Sequence, residues 1–78
     1  MSANGIRVVL TVGDGLARIH AGRHGAQPWV RRTARKAAQC AATDAPIAAG
    51  TLVYAPLGNP VNRGQRVLAT WVEGREAT

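Results

Sequence analysis

Apolar and polar positions alternate with a period of two at the start of the chain. Ile6, Val8, Leu10 and Val12 are interleaved with Arg7, Val9 and Thr11, the pattern of a half-buried strand. Gly13-Asp14-Gly15 then supplies residues that tolerate positive φ, and Leu16 to Ala21 resumes the alternation, so the segment predicts a β-hairpin. Its inner face is expected to hold Ile6, Val8, Leu10 and Val12 with Ala17, Ile19 and Ala21, leaving Arg7, Arg18 and His20 outside. Two glycines and no apolar period make 22–26 a loop.

The period changes after Pro28, a residue suited to the first turn of a helix, where its missing N–H is not needed. From Pro28 to about Ala42 there is no further Gly or Pro. At 100° per residue, Val30, Ala34, Ala37, Ala38 and Ala41 share one side, flanked by Trp29, Thr33 and Cys40, while Arg31, Arg32, Arg35, Lys36 and Gln39 fill the other. This predicts an amphipathic helix with a basic outer face, closed by Thr43, Asp44 and Pro46. Thr51 to Leu57 reads as a strand with Pro56 at its end, 58–64 as a turn-rich connection, and Arg66 to Val72 as a last strand. The expected fold class is therefore α+β, in the order β-β-α-β-β: a four-stranded, mainly antiparallel sheet with one amphipathic helix packed on one face.

Length bounds this picture. At 78 residues the chain forms one domain, 1–78, with flexible ends expected at 1–5 and 73–78. Fifteen residues are Ala and none is Phe, so the core is thin. A domain of this size buries roughly 60% of the surface its unfolded chain exposes, which seldom leaves room for a deep substrate cavity. An enzyme is disfavoured on that ground. One Cys cannot form an internal disulfide, and no run of 18 apolar residues or signal-peptide pattern is present; a soluble, cytoplasmic protein without a membrane partner is expected.

Charge is distributed unevenly. Residues 1–43 carry seven cations against Asp14, whereas 44–78 carry three against Asp44, Glu73 and Glu76, so the whole net charge of +6 lies in the first half. Nine of the ten cations are Arg, whose planar fork suits phosphate and carboxylate partners, although a GC-rich genome yields the same bias. The candidate binding residues are accordingly Arg31, Arg32, Arg35 and Lys36, extended by Arg23, Arg18 and Arg7.

Catalytic and metal chemistry have little to draw on. Cys40, His20 and His24 supply three ligands without a Cys-x-x-Cys pair, so no metal and no cofactor are expected. Cys40 reads as a small buried thiol and His20 as a solvated strand residue, and the four carboxylates are too scattered for an acid/base pair. Gly13-x-Gly15 is a hairpin turn rather than a phosphate loop, because it lacks the third Gly and a following helix. Aromatic platforms for single-stranded nucleic acid are limited to Trp29, Tyr54 and Trp71, so any nucleic-acid binding should act through backbone charge.

Two resemblances add to this reading. Pro46-Ile47-Ala48-Ala49-Gly50-Thr51 with Gly64-Gln65-Arg66-Val67 is similar to segments of β-clip domains of flagellar assembly chaperones, over less than half the chain. In its size, one-sided charge and strand-strand-helix-strand-strand order, with Gln27 to Lys36 carrying the charge, the chain resembles the small phage- and prophage-encoded anti-CRISPR proteins of type I systems, type I-C among them. That class has no shared motif, so no site residue is carried over. The resemblance implies a monomeric, non-enzymatic inhibitor in the bacterial host. It would bind a subunit of the CRISPR effector complex or its nuclease, and its basic face could also touch nucleic acid. The alternative is a small nucleic-acid-binding accessory protein of a phage or plasmid.

Overall fold

The computed structural model describes residues 5–13, 15–22, 25–58, 62 and 64–74. Along the chain run β1 (Ile6–Thr11), β2 (Leu16–Ala21), β3 (Ala26–Thr33), β4 (Ala38–Gln39), β5 (Pro46–Ile47), β6 (Leu52–Pro56), β7 (Val67–Leu68) and α1 (Ala69–Glu73). The main sheet has the order β1-β2-β3-β6-β7 with every pair antiparallel, and β4-β5 form a second, two-stranded sheet. The expected four-stranded sheet with a helix packed on one face is thus replaced by a five-stranded curled sheet, a small hairpin and one short helix.

The first hairpin forms where the alternation places it. Gly13 and Gly15 take φ of 69° and 74° in its turn, and Gly15 also lies close beneath Arg31. Ile6, Ala17, Ile19 and Ala21 are buried, and Arg7 and Arg18 lie on the exposed face. Register departs from simple alternation at one place. A bulge between Val8 and Leu10 places Leu10 opposite Arg18 on the outer face and Thr11 opposite Ala17. One extra residue reverses the facing of everything after it, and Leu10 and Val12 are exposed instead of buried.

The larger correction concerns 28–42. Instead of a helix, Ala26–Thr33 is a strand, paired with β2 from Leu16↔Val30 to His20↔Ala26 and with β6 from Trp29↔Pro56 to Thr33↔Leu52. The physical reason is what each alternative buries. A helix would present a stripe of alanine methyls, whereas the strand turns Gln27 and Trp29 inward and buries Trp29 completely. An indole removes roughly 150–250 Å² from water, more than several methyl groups together. β6 is also buried at every position from Val53 to Pro56 and requires a hydrogen-bonded neighbour on each edge; β3 is one and β7 the other. Pro28 fits because its carbonyl accepts from the Leu57 N–H just beyond the end of β6, where the ladder stops.

The alanine-rich remainder folds back on itself. The Cys40 N–H donates to the Ala45 carbonyl at 2.8 Å, and Asp44, at φ 65°, makes the reversal between β4 and β5. Asp tolerates this left-handed conformation better than most side chains. Ala37, assigned to the core by the helical period, is exposed. Ala37→Leu is therefore expected to change stability by less than about 0.5 kcal/mol in chemical denaturation, whereas packing in a helical core would make the same change cost about 1–3 kcal/mol.

The expected final strand over 66–72 is shorter than the alternation suggests. It ends at Leu68, and 69–73 coil into α1, which buries Ala69 and Val72 at helical i, i+3 spacing. Trp29, Tyr54, Ile19, Ile47, Val53, Val67, Val72 and Cys40 form the fully buried centre. A buried polar pair supports one flank: Asn62 Nδ2 donates to Gln27 Oε1 at 2.6 Å and to Gln65 Oε1 at 3.0 Å. Gln27→Leu leaves the Asn62 amide without its shorter partner, and a loss of about 1–3 kcal/mol is expected in urea unfolding. No helix is long and apolar enough to cross a membrane among the described residues.

Candidate functional site

Strand geometry divides the cations that the helical reading had placed together. Successive side chains of a strand point to opposite faces, so Arg31 and Arg32 cannot act side by side. Arg31 shares the face of Trp29, and its Nη1 donates to Glu73 Oε2 of α1 at 2.7 Å. The same carboxylate oxygen accepts from the Tyr54 hydroxyl at 3.2 Å. Arg31 thus ties the sheet to the C-terminal helix and stands apart from Arg32.

Arg32 lies on the opposite face and begins a groove. Its walls come from two stretches of chain, Arg32, Thr33, Ala34, Arg35 and Lys36 with Ala38 of β4, and Gly64 with Arg66. The groove has a volume of about 680 Å³. Backbone hydrogen bonds fix both walls. Ala34 donates its N–H to Thr51 and accepts from Gly50, so the chain is anchored at a buried alanine immediately before Arg35 and Lys36 project outward. On the other wall, the Ala41 N–H donates to the Arg66 carbonyl and Cys40 bridges Arg66 in parallel register. Arg66 Nη1 in turn donates to the Gln65 carbonyl at 2.7 Å, which orients the guanidinium along the groove wall.

Among the described residues, four cations therefore line one concave surface and no carboxylate does. Small residues, Ala34, Ala38 and Gly64, complete its lining. Such a site attracts anions before contact and offers Arg forks to carboxylate or phosphate oxygens.

The remaining candidates lie elsewhere. Arg7 and Arg18 are exposed on the outer face of the first hairpin, Arg7 directly across from His20. Arg23 and His24 lie outside the described residues. Among the described residues no three His, Cys, Asp or Glu side chains come together. Cys40 is fully buried. Burial pushes its thiol up, but hydrogen bonds with the Thr43 side chain and with backbone of Leu68, Ala42 and Thr43 outweigh it and hold the thiol below its ordinary pKa.

Sequence patterning does not single out Arg66. It belongs to the groove only through its pairing with Cys40 and Ala41, a contact between distant segments that leaves no local pattern. No family model, curated protein or solved structure matches the chain. Fold and groove together define a small, mostly β domain with a cationic cleft.

Proposed function

We propose that the protein is a non-catalytic inhibitor that seats an anionic surface of a larger partner in the groove of Arg32, Arg35, Lys36 and Arg66. The partner implied by the resemblance to phage inhibitors is a type I CRISPR effector complex or its nuclease, in the cytoplasm of the bacterial host. Occupying that surface would prevent target DNA from being bound or cut. The observation that carries the reading is the groove itself, with four cations and no carboxylate in its described lining.

A protein partner is favoured over free nucleic acid by the aromatic residues. Trp29 and Tyr54 are buried, and Trp71 is half-buried against the core, so none of the three offers an exposed ring beside the groove on which bases could stack. The nucleic-acid accessory reading draws on the same four cations, which suit the phosphates of a nucleic-acid backbone.

Capture experiments separate the two. The tagged protein is expected to retain a reconstituted type I effector complex at about 150 mM salt, where phosphate-only contacts weaken steeply, and to inhibit target cleavage. Free duplex bound more tightly than the effector, with log affinity falling in proportion to log salt, would replace the inhibitor reading by the accessory-protein one.

A further inference from the structure

The first hairpin carries a second surface, separate from the groove. β1 stands at the end of the strand order β1-β2-β3-β6-β7 and is hydrogen-bonded on one side only among the described strands. Exposed edges of this kind are normally blunted by charge or by proline. β1 carries a single charge, Arg7, and no proline, and its bulge has a further consequence. It turns Leu10 outward, and Val9, Leu10 and Val12 are exposed by 50%, 56% and 49%. Among the described residues, three of the five exposed large hydrophobics thus fall within four consecutive positions, two in β1 and one just beyond its end. Cations border them on the same face: Leu10 lies opposite Arg18, and Arg7 opposite His20. The described part of the hairpin contains no carboxylate.

We infer that the open edge of β1 takes, as an added strand, an extended segment of a partner protein that carries an acidic residue and apolar residues at alternate positions, all on one face. Main-chain hydrogen bonds to an edge supply affinity in this mode, and alternate side chains supply selectivity. On that outer face its apolar residues lie beside Leu10 and Val12 and its carboxylate lies beside Arg7, since opposite charges paired across strands stabilise a sheet. A second copy is the poorer occupant. Pairing β1 with itself would gather both copies' Arg7 and Arg18 without an opposing carboxylate in the described hairpin, between chains of net charge +6. This inference does not depend on what fills the groove.

The test uses the full chain labelled with ¹⁵N and the seven-residue peptide Glu-Thr-Val-Thr-Val-Thr-Glu, whose glutamates and valines share one face when extended in either direction. The expected result is selective shift perturbation over Arg7–Val12 and slowed amide exchange there. Because charge on an edge opposes strand addition and like charges repel across strands, Val9→Glu with Leu10→Glu should weaken the peptide at least about tenfold, with an unchanged melting curve showing that the exposed sites do not support the fold. Arg32→Glu with Arg35→Glu should leave peptide binding unchanged, which keeps this outcome distinct from failure of the groove. Perturbation confined to 32–38, no perturbation, equal binding by the Val9→Glu with Leu10→Glu variant, or a dimer formed through β1 in the absence of peptide would each overturn the inference.

Discussion

Trp29→Ala is expected to abolish the cooperative fold or bring it close to that point. Trp29 is wholly buried, on a strand held between β2 and β6, and truncating a buried Trp costs about 3–5 kcal/mol. A chain of this length holds only about 4–12 kcal/mol in total. At about 4–8 °C per kcal/mol for a small domain, the melting temperature should fall by tens of degrees. Trp29→Phe provides the contrast. The indole Nε1 is buried without a hydrogen-bond partner among the described residues, so replacement by a ring with no N–H removes an unsatisfied donor along with some packing area. The phenylalanine variant should remain folded at 25 °C. Thermal unfolding of the two variants followed by circular dichroism checks this, and near-native stability of Trp29→Ala would mean that the indole is not the centre of the core.

The same residue marks where the sequence is legible and where it is not. The first hairpin can be read because its alternation and its Gly13–Gly15 turn are local, and β6 because Leu, Val and Tyr precede a proline. The bulge at Val9 cannot: nothing in Arg7-Val8-Val9-Leu10 says which residue is the extra one, and that choice decides whether Leu10 is inside or out. At 28–42 two periods compete. Gln27, Trp29 and Arg31 alternate with Pro28, Val30 and Arg32 at strand spacing, while alanines and cations farther on repeat at helical spacing. Local preference favours the helix, and long-range pairing with β6 decides for the strand. The basic surface survives this change only in part. Arg32, Arg35 and Lys36 stay together because β3 ends and the chain bends after Thr33, whereas Arg31 moves to the opposite face and Arg66 arrives from a segment far along the chain.

Reversing charge in the groove should disable binding and leave folding intact. Arg32 and Arg35 are exposed, so Arg32→Glu with Arg35→Glu is expected to alter stability by less than about 0.5 kcal/mol per site. Removing one charge-assisted hydrogen bond to the partner costs about 1.5–3 kcal/mol, and removing two lowers affinity at least about 100-fold. Arg31→Ala is the informative control. Paired with Glu73 on the far face, it should leave affinity unchanged and cost at most about 1 kcal/mol of stability, the ordinary value of an exposed ion pair. Titration calorimetry against the reconstituted effector, beside urea unfolding of each variant, reads both quantities. Loss of binding in Arg31→Ala equal to that in the double variant would return the site to the undivided basic face that the helical period suggests.

The most direct test of the groove as the binding surface is arginine footprinting with phenylglyoxal, read by mass spectrometry on the free protein and on its complex with the effector. Protection of Arg32, Arg35 and Arg66 on complex formation is the predicted result. Arg32 and Arg35 modified at the same rate in the complex as in the free protein would contradict it.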